Sequence, residues 1–326
     1  MESYALVKLK SFFNPEKFQG WGKRRKYFEG WYYKIVNRKQ TKAFAFIPGI
    51  AIDDIGQKHS FIQVLDGKKK TSEYFRFPAE AFMPRSTNLH VSINNNKFTE
   101  NSIILDLPNI RGSLAFIGNV PWPKPFYSPG IMGPYAFVPF MECYHGIVSM
   151  DHEISGEIDI HQESIDFSGG RGYIEKDWGR SFPSAYTWMQ SNHFSSSGIS
   201  FKLSVAKIPW FRNSFVGFIA GLWFDNKLYQ FTTYNKTRLI KCWIDNDLVE
   251  IILQNKRYKL HVVAHRDHDT ELASPILGLM DGRIAESMTS TIQVKLTNRS
   301  TKKIIFHDNG RNVGLEVAED IKKILT

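Results

Sequence analysis

Carboxylates set among large aromatic rings are the residues of this chain best suited to chemistry. Two segments hold them. The first is Tyr27-Phe28-Glu29-Gly30-Trp31-Tyr32-Tyr33-Lys34. The second is Gly172-Tyr173-Ile174-Glu175-Lys176-Asp177-Trp178-Gly179-Arg180-Ser181-Phe182-Pro183, running on to Trp188-Met189-Gln190-Ser191-Asn192-His193-Phe194. A carboxyl between rings is desolvated, so its pKa rises and it can hold a proton near neutrality. Such a group is a general acid. Glu29, Asp177, Glu175 and Glu142 are therefore the catalytic candidates. The competing reading of any one of them is an acid satisfied by backbone N–H groups or paired with Lys176 or Arg180. Strand alternation places Lys176 on the face opposite Glu175 and Asp177. It also places Trp188, Gln190 and Asn192 on one face.

Other chemistries find less support. Cys143 and His145 lie two apart on an expected strand and can share a face, but no environment that would lower a thiol pKa is evident. Gly170-Arg171-Gly172 lacks the third glycine and the following helix of a dinucleotide site. Gly179-Arg180-Ser181 lacks the second glycine of a nucleophile elbow. The ten histidines show no zinc spacing, and His265 and His268, around Asp267 and Asp269, read as a polar turn. No metal, nucleotide or redox cofactor is expected.

The elements that must position these residues are strands. Ile292, Val294 and Leu296 alternate with Gln293, Lys295 and Thr297, and Ile158 and Ile160 with Glu157 and Asp159. This period of two marks strands with one wet and one buried face. Asp53-Asp54-Ile55-Gly56, Asp66-Gly67, Asn94-Asn95-Asn96, Asp225-Asn226 and Asn255-Lys256 supply the turns, the last within a hairpin of strands 247–254 and 257–265. Ala43–Ile50 and Phe215–Phe224 are apolar on both faces. Helical periodicity is confined to Ala318–Leu325. Regular strands with short turns imply an all-β barrel or sandwich. The Pro-rich segment 121–139 cannot be a central strand and is too aromatic for a flexible linker. It is expected to close over one end of a barrel, with Trp122, Phe126, Tyr127 and Tyr135 packed away from water. A boundary at Ser168-Gly169-Gly170 divides the chain into units 1–168 and 169–326. The echo of Trp31-Tyr32-Tyr33 in Trp188-Met189-Gln190 hints at duplication.

Composition narrows the function classes. Aromatics are 14% of the 326 residues, enough for a ring-lined cavity besides a core. Two cysteines cannot build a disulfide framework, Met1–Lys10 is not a signal peptide, and no stretch is long and apolar enough to be a spanning helix. A cytoplasmic protein is the expectation. The net charge is +10, with one run at Lys23-Arg24-Arg25-Lys26 that could make a peripheral contact with an anionic membrane. Nothing sets rings beside the lysines as a nucleic-acid groove requires, and no nucleic acid is expected.

The two aromatic segments resemble the signatures of the tocopherol cyclase family, which carries a Phe-Glu-Gly-Trp-Tyr opening. It also carries a Glu-Lys-Asn-Trp-Gly block that runs through Phe-Pro into Trp-x-Gln. The resemblance extends to Pro139-Phe140-Met141-Glu142, Gly156 and Ser274–Gly282. Asp177 stands where the family has Asn, and the stretch between the first motif and Pro139 is shorter than in the plant enzymes. The resemblance implies two lipocalin-like antiparallel β-barrel or half-barrel units with very little helix, in a group that includes carotenoid hydratases and some pericyclases. It implies ring closure of a prenylated phenol without a cofactor: an acid protonates the alkene and the phenol oxygen captures the cation. Trp31, Trp178 and Trp188 are then candidate ring faces, with Tyr33 and Tyr135 beside them, and Gln190 and Asn192 would bond the phenol. The alternative is a non-catalytic binder or carrier of an isoprenoid, lipid or pigment.

Overall fold

The structure, a computed structural model, describes residues 4–318 except 211, 246 and 268. The all-β expectation holds: 63% of residues are in strands and 4% in helix. One helix, α1 (Tyr4–Phe12), was not anticipated, and the helix expected at Ala318–Leu325 lies, beyond Ala318, outside the described residues.

Twelve strands form the first sheet: β1 (Tyr27–Val36), β2 (Ala43–Ile52), β3 (Lys58–Asp66), β4 (Thr71–Pro78), β5 (Phe82–Pro84), β6 (His90–Ile93), β7 (Asn96–Thr99), β8 (Ser102–Leu107), β9 (Ile110–Ile117), β10 (Cys143–Ile160), β11 (Glu163–Asp166) and β12 (Gly170–Gly179). Their order is β4-β3-β2-β1-β12-β10-β9-β8-β7-β6-β5, with β11 paired to β10. Ten strands form the second: β13 (Tyr186–Ser191), β14 (Ser200–Trp210), β15 (Asn213–Phe224), β16 (Lys227–Thr232), β17 (Arg238–Ile244), β18 (Leu248–Gln254), β19 (Tyr258–His265), β20 (Thr270–Ile276), β21 (Leu279–Asn298) and β22 (Ile304–Val317). Here the order is β16-β15-β14-β13-β22-β21-β19-β18-β17, with β20 paired to β21. Each sheet thus pairs its first strand with its last. Trp31 and Trp188 sit on these first strands, so the sequence echo falls on topologically equivalent positions.

Two compact units result. The first comprises residues 1–66, 71–182 and 272–283, and the second 67–70, 183–271 and 284–326. The turn at Ser168–Gly169 joins β11 to β12, both paired with β10, so a division at 168/169 would cut β12 from its partners β1 and β10. The first unit runs on to Phe182 for that reason.

Each unit has its own apolar core. In the first, Trp31, Tyr33, Phe44, Phe46, Phe98 and Ile174 are buried together with side chains from nearly every strand. A single sheet can gather all its strands around one core only by curling on itself. The second core is built likewise from Phe201, Leu203, Ile251, Val262 and Val294. Turn chemistry sets the hairpins. Asp225 and Asn226 both adopt φ of 52°, the left-handed pair that a two-residue hairpin turn needs.

Candidate functional site

The site lies where β12 runs between β1 and β10 in the first unit. The register sets Glu29 opposite Trp178, Trp31 opposite Lys176 and Tyr33 opposite Ile174. Alternation then gives one face Glu29, Trp31, Tyr33, Lys176 and Trp178, the face that carries the apolar core. The other face receives Phe28 and Tyr32 from β1, Tyr173, Glu175 and Asp177 from β12, and Cys143 and His145 from β10.

The core face is a structural clamp. Lys176 Nζ pairs with Glu29 Oε1 at 2.5 Å, and neither side chain is exposed. The ammonium lies 4.8 Å from the Trp31 ring centre and 4.6 Å from that of Trp178. It also donates to the carbonyls of Pro15, at 2.9 Å, and Lys17. Glu29 accepts from Gln19 N at 2.8 Å, Gly20 N at 2.9 Å and the Tyr27 hydroxyl at 2.5 Å. Trp31 Nε1 donates to Glu16 O at 2.9 Å. Together these bonds tie segment 15–20 to the sheet. Both oxygens of Glu29 already accept from donors of the chain, which places Glu29 as an anchor for segment 15–20 rather than as a group open to substrate. This corrects the sequence expectation: the rings around Glu29 suggested desolvation, but they enclose its counter-ion. Tyr33 is corrected too. It is fully buried, its hydroxyl donates to Thr99 O at 3.0 Å, and its ring packs against Phe98 and Phe116.

The opposite face gathers titratable groups. His145 Nδ1 lies 2.7 Å from Asp177 Oδ1, and its Nε2 lies 3.4 Å from Glu175 Oε2. The Tyr173 hydroxyl donates to the same Glu175 oxygen at 2.5 Å. The imidazole thus hydrogen-bonds Asp177 through Nδ1 and brings Nε2 near Glu175, and a phenol closes the row. Burial first, then the neighbouring Glu175, holds the Tyr173 pKa well above its usual value, so this phenol stays a donor. Cys143 Sγ sits 3.9 Å from Asp177 Oδ1. Burial, then Asp177, Glu142 and Glu175, pushes its thiol up, which keeps it from being a thiolate nucleophile. The Glu175 side chain is 6% exposed and that of Asp177 24%, which makes Asp177 the more open acid. Phe28 and Phe182 flank this face, edge to face at 5.4 Å. The ligand atoms of His145, Glu175 and Asp177 fall within 4.8 Å of one another. The Nδ1–Asp177 hydrogen bond at 2.7 Å suits proton sharing between that pair.

Glu142 stands apart from this row. It is half-buried, and burial raises its pKa against the pull of Arg180. Its carbonyl takes the Arg180 N–H at 2.8 Å. A Cβ on Gly179 would lie 2.2 Å from that carbonyl, and Gly179 has φ +154°, so only glycine lets the two strands close here.

A cleft of about 480 Å³ opens at the end of β12, among Phe12, Tyr27, Met132, Phe137, Tyr144 and Trp178, with Lys26 and Arg180 beside them. Trp178 stacks on Tyr144 at 5.5 Å and is the expected ring residue that reaches this cleft. The Pro-rich segment contributes Pro129, Met132, Ala136, Phe137 and Pro139, whereas Tyr135 is half-buried outside the lining. Trp122 packs away as expected, but Phe126 and Tyr127 are 79% and 76% exposed. Phe126 covers only one side of itself, stacked on Phe13 at 5.0 Å. In the second unit, Trp188, Gln190 and Asn192 are all buried on and just after β13.

Residues 119–319, well over half of the chain, match the sequence profile described as tocopherol cyclase-like. The chain belongs to the tocopherol cyclase-like family. The matched region takes in β10 and β12, and with them His145, Glu175 and Asp177, but begins after Glu29. A 109-residue stretch is 28% identical to a chloroplastic protein of Oryza sativa subsp. japonica named a probable tocopherol cyclase, covering 32% of this chain and 23% of the rice protein. The alignment therefore spans less than a quarter of that relative. Among solved structures, CghA with Sch210972 superposes with a TM-score of 0.55 at 11% identity, over 90% of this chain and 89% of that one. A protein described as AttH from Nitrosomonas europaea gives 0.53 at 11% identity, over 89% and 92%. These likenesses establish the fold as two lipocalin-like units.

Proposed function

We propose that the chain is an acid–base cyclase that acts on an apolar, prenylated phenol. The observation that carries this reading is the hydrogen bond of His145 Nδ1 to Asp177, with Glu175 3.4 Å from Nε2 and itself held by the Tyr173 hydroxyl. Family membership adds the substrate class, since the rice relative is named for a cyclase. Protonation of an alkene needs an acid that is neutral when substrate is present and is recharged after each turnover. Asp177, the more open carboxyl, gives its proton to the alkene carbon. A tertiary cation forms, the phenol oxygen captures it, and the phenol proton returns through His145. Glu175 and Tyr173 hold the imidazole in place and balance its charge. The product has the mass of the substrate, and no electrons leave or enter.

The test is incubation with a panel of prenylated hydroquinones, followed by chromatography for a product of unchanged mass. In D2O the product should carry one deuterium on carbon. Asp177→Asn and His145→Gln should each lower turnover by roughly a hundredfold or more while binding is nearly kept. Normal turnover in both variants would refute the assignment. Binding without turnover by the unmodified chain would leave the carrier reading in its place.

A further inference from the structure

One end of the first unit collects basic and apolar side chains that the acid set does not use. By register, the start of β1, the end of β2, the start of β3, the end of β12 and the start of β10 lie together. Four segments project there: 21–26, 53–57, 121–142 and 276–279. They are tied to one another and to the sheet. Lys26 N donates to Asp53 O at 2.8 Å, Gly278 N to Arg180 O at 2.8 Å and Leu277 N to the Ser181 hydroxyl at 2.8 Å. Phe13 links Phe126 to Phe137, which lies 6.5 Å away.

Three of these segments, 53–57, 121–142 and 276–279, end in exposed apolar groups. Phe126, Tyr127, Ile55 and Ile276 are 79%, 76%, 69% and 53% exposed, and Phe137, Phe140 and Leu277 are exposed as well. Between them runs Lys23-Arg24-Arg25-Lys26, exposed throughout. The acids at this end are fewer. Asp53 is taken up in its turn by the N–H groups of Ile55 and Gln57, Glu142 faces Arg180, Glu16 pairs with Lys124 at 2.9 Å, and Asp54 and Asp281 remain. The end is therefore net positive, with large apolar tips standing out from several loops.

We propose that this end docks on an anionic lipid bilayer. The tips enter the interfacial layer and the basic run meets the headgroups. Charge complementarity decides for a bilayer: a run of four exposed cations suits a surface of dense, fixed negative charge. Separate loop tips also suit insertion better than they suit a flat protein face. The cleft opens at the same end, so its mouth would face the phase into which apolar molecules partition. The inference holds whatever reaction the chain performs.

The test is flotation of the full chain with vesicles of phosphatidylcholine alone or mixed with phosphatidylglycerol. Binding is expected only to the anionic vesicles and should weaken as salt is raised. Arg24→Glu with Arg25→Glu should lower partitioning roughly tenfold or more. Phe126→Ser with Tyr127→Ser should lower it on the same vesicles. All four positions are exposed, so circular dichroism should show the fold intact in both variants. Equal partitioning onto neutral vesicles, no partitioning at all, or no response to either pair of substitutions would overturn the proposal. Capture by an acidic polypeptide in place of vesicles would also overturn it and would assign the surface to a protein partner. None of these readouts depends on turnover, so the acid–base reading stands or falls separately.

Discussion

Lys176 and Glu29 form an ion pair across β12 and β1, 2.5 Å from Nζ to Oε1, with both side chains closed to solvent. Removing one partner leaves the other charged and buried. Lys176→Met or Glu29→Gln should therefore each destabilise the protein by about 3–5 kcal/mol, read from urea unfolding. The double variant should cost much less than the sum. Additive losses would show that the pair is not a unit. A catalytic part for Glu29 would appear differently, as lost turnover in a Glu29→Gln protein that unfolds normally.

Tyr173 donates to Glu175 with both groups buried. Tyr173→Phe keeps the ring and deletes the donor. Its cost in unfolding free energy should be about 1–3 kcal/mol, the range for a buried acceptor left short of a partner. If Tyr173 positions the imidazole row through Glu175, kcat should fall while KM moves little. A change confined to KM would argue that the hydroxyl meets the substrate.

His152 gives a pH signature. Burial, then Arg171, pushes its pKa down to about 3, and its ring lies 4.4 Å from that of Phe116. The unfolded chain takes up a proton near pH 6.5 that the folded chain refuses until about pH 3. Stability must therefore fall as pH drops through that window, by about 1.4 kcal/mol per pH unit from this residue. His59, lowered to about 4, acts in the same direction. Comparison with His152→Leu isolates the contribution: its urea midpoint should lose part of this slope between pH 4.5 and pH 6.5, both values inside the roughly 3-to-6.5 window. An unchanged slope would mean that His152 is protonated in the folded state.

Both cysteines should resist modification. The Cys143 thiol is pushed well up and that of Cys242 to about 11, each chiefly by burial. At mildly alkaline pH the thiolate fraction then falls about a hundredfold or more below that of an ordinary cysteine. Reaction with an aromatic disulfide reagent should be slow in buffer and rapid after denaturation. A fast-reacting Cys143 in the folded protein would reopen a nucleophilic part for it.

The strand pattern was legible because alternation is local. The hairpin expected at 247–254 and 257–265 is β18 and β19, displaced by a residue at two of its ends. Helix α1 was missed because charged and apolar residues alternate over the first ten residues of the chain and show no helical period. The acids were found but not sorted. Glu29 and Asp177 look alike in sequence, each set beside rings. Their difference comes from partners 147 and 32 residues away, Lys176 and His145, which β pairing brings near. The opposite facing of Lys176 followed from period two alone, yet nothing local told which carboxylate it would meet. His145 was visible only as a neighbour of Cys143, because its carboxylate partners lie on another strand.

β12 points Lys176 one way and Glu175 and Asp177 the other. Inserting or deleting a single residue between Tyr173 and Trp178 would turn the strand over, sending the ammonium to the imidazole and the carboxyls into the core. A side chain here can be exchanged without moving its neighbours, but the residue count cannot change. Length variation among descendants of this sequence should therefore collect in the turns at either end, 168–169 and 180–184, and leave the ten positions of β12 between as a fixed ruler.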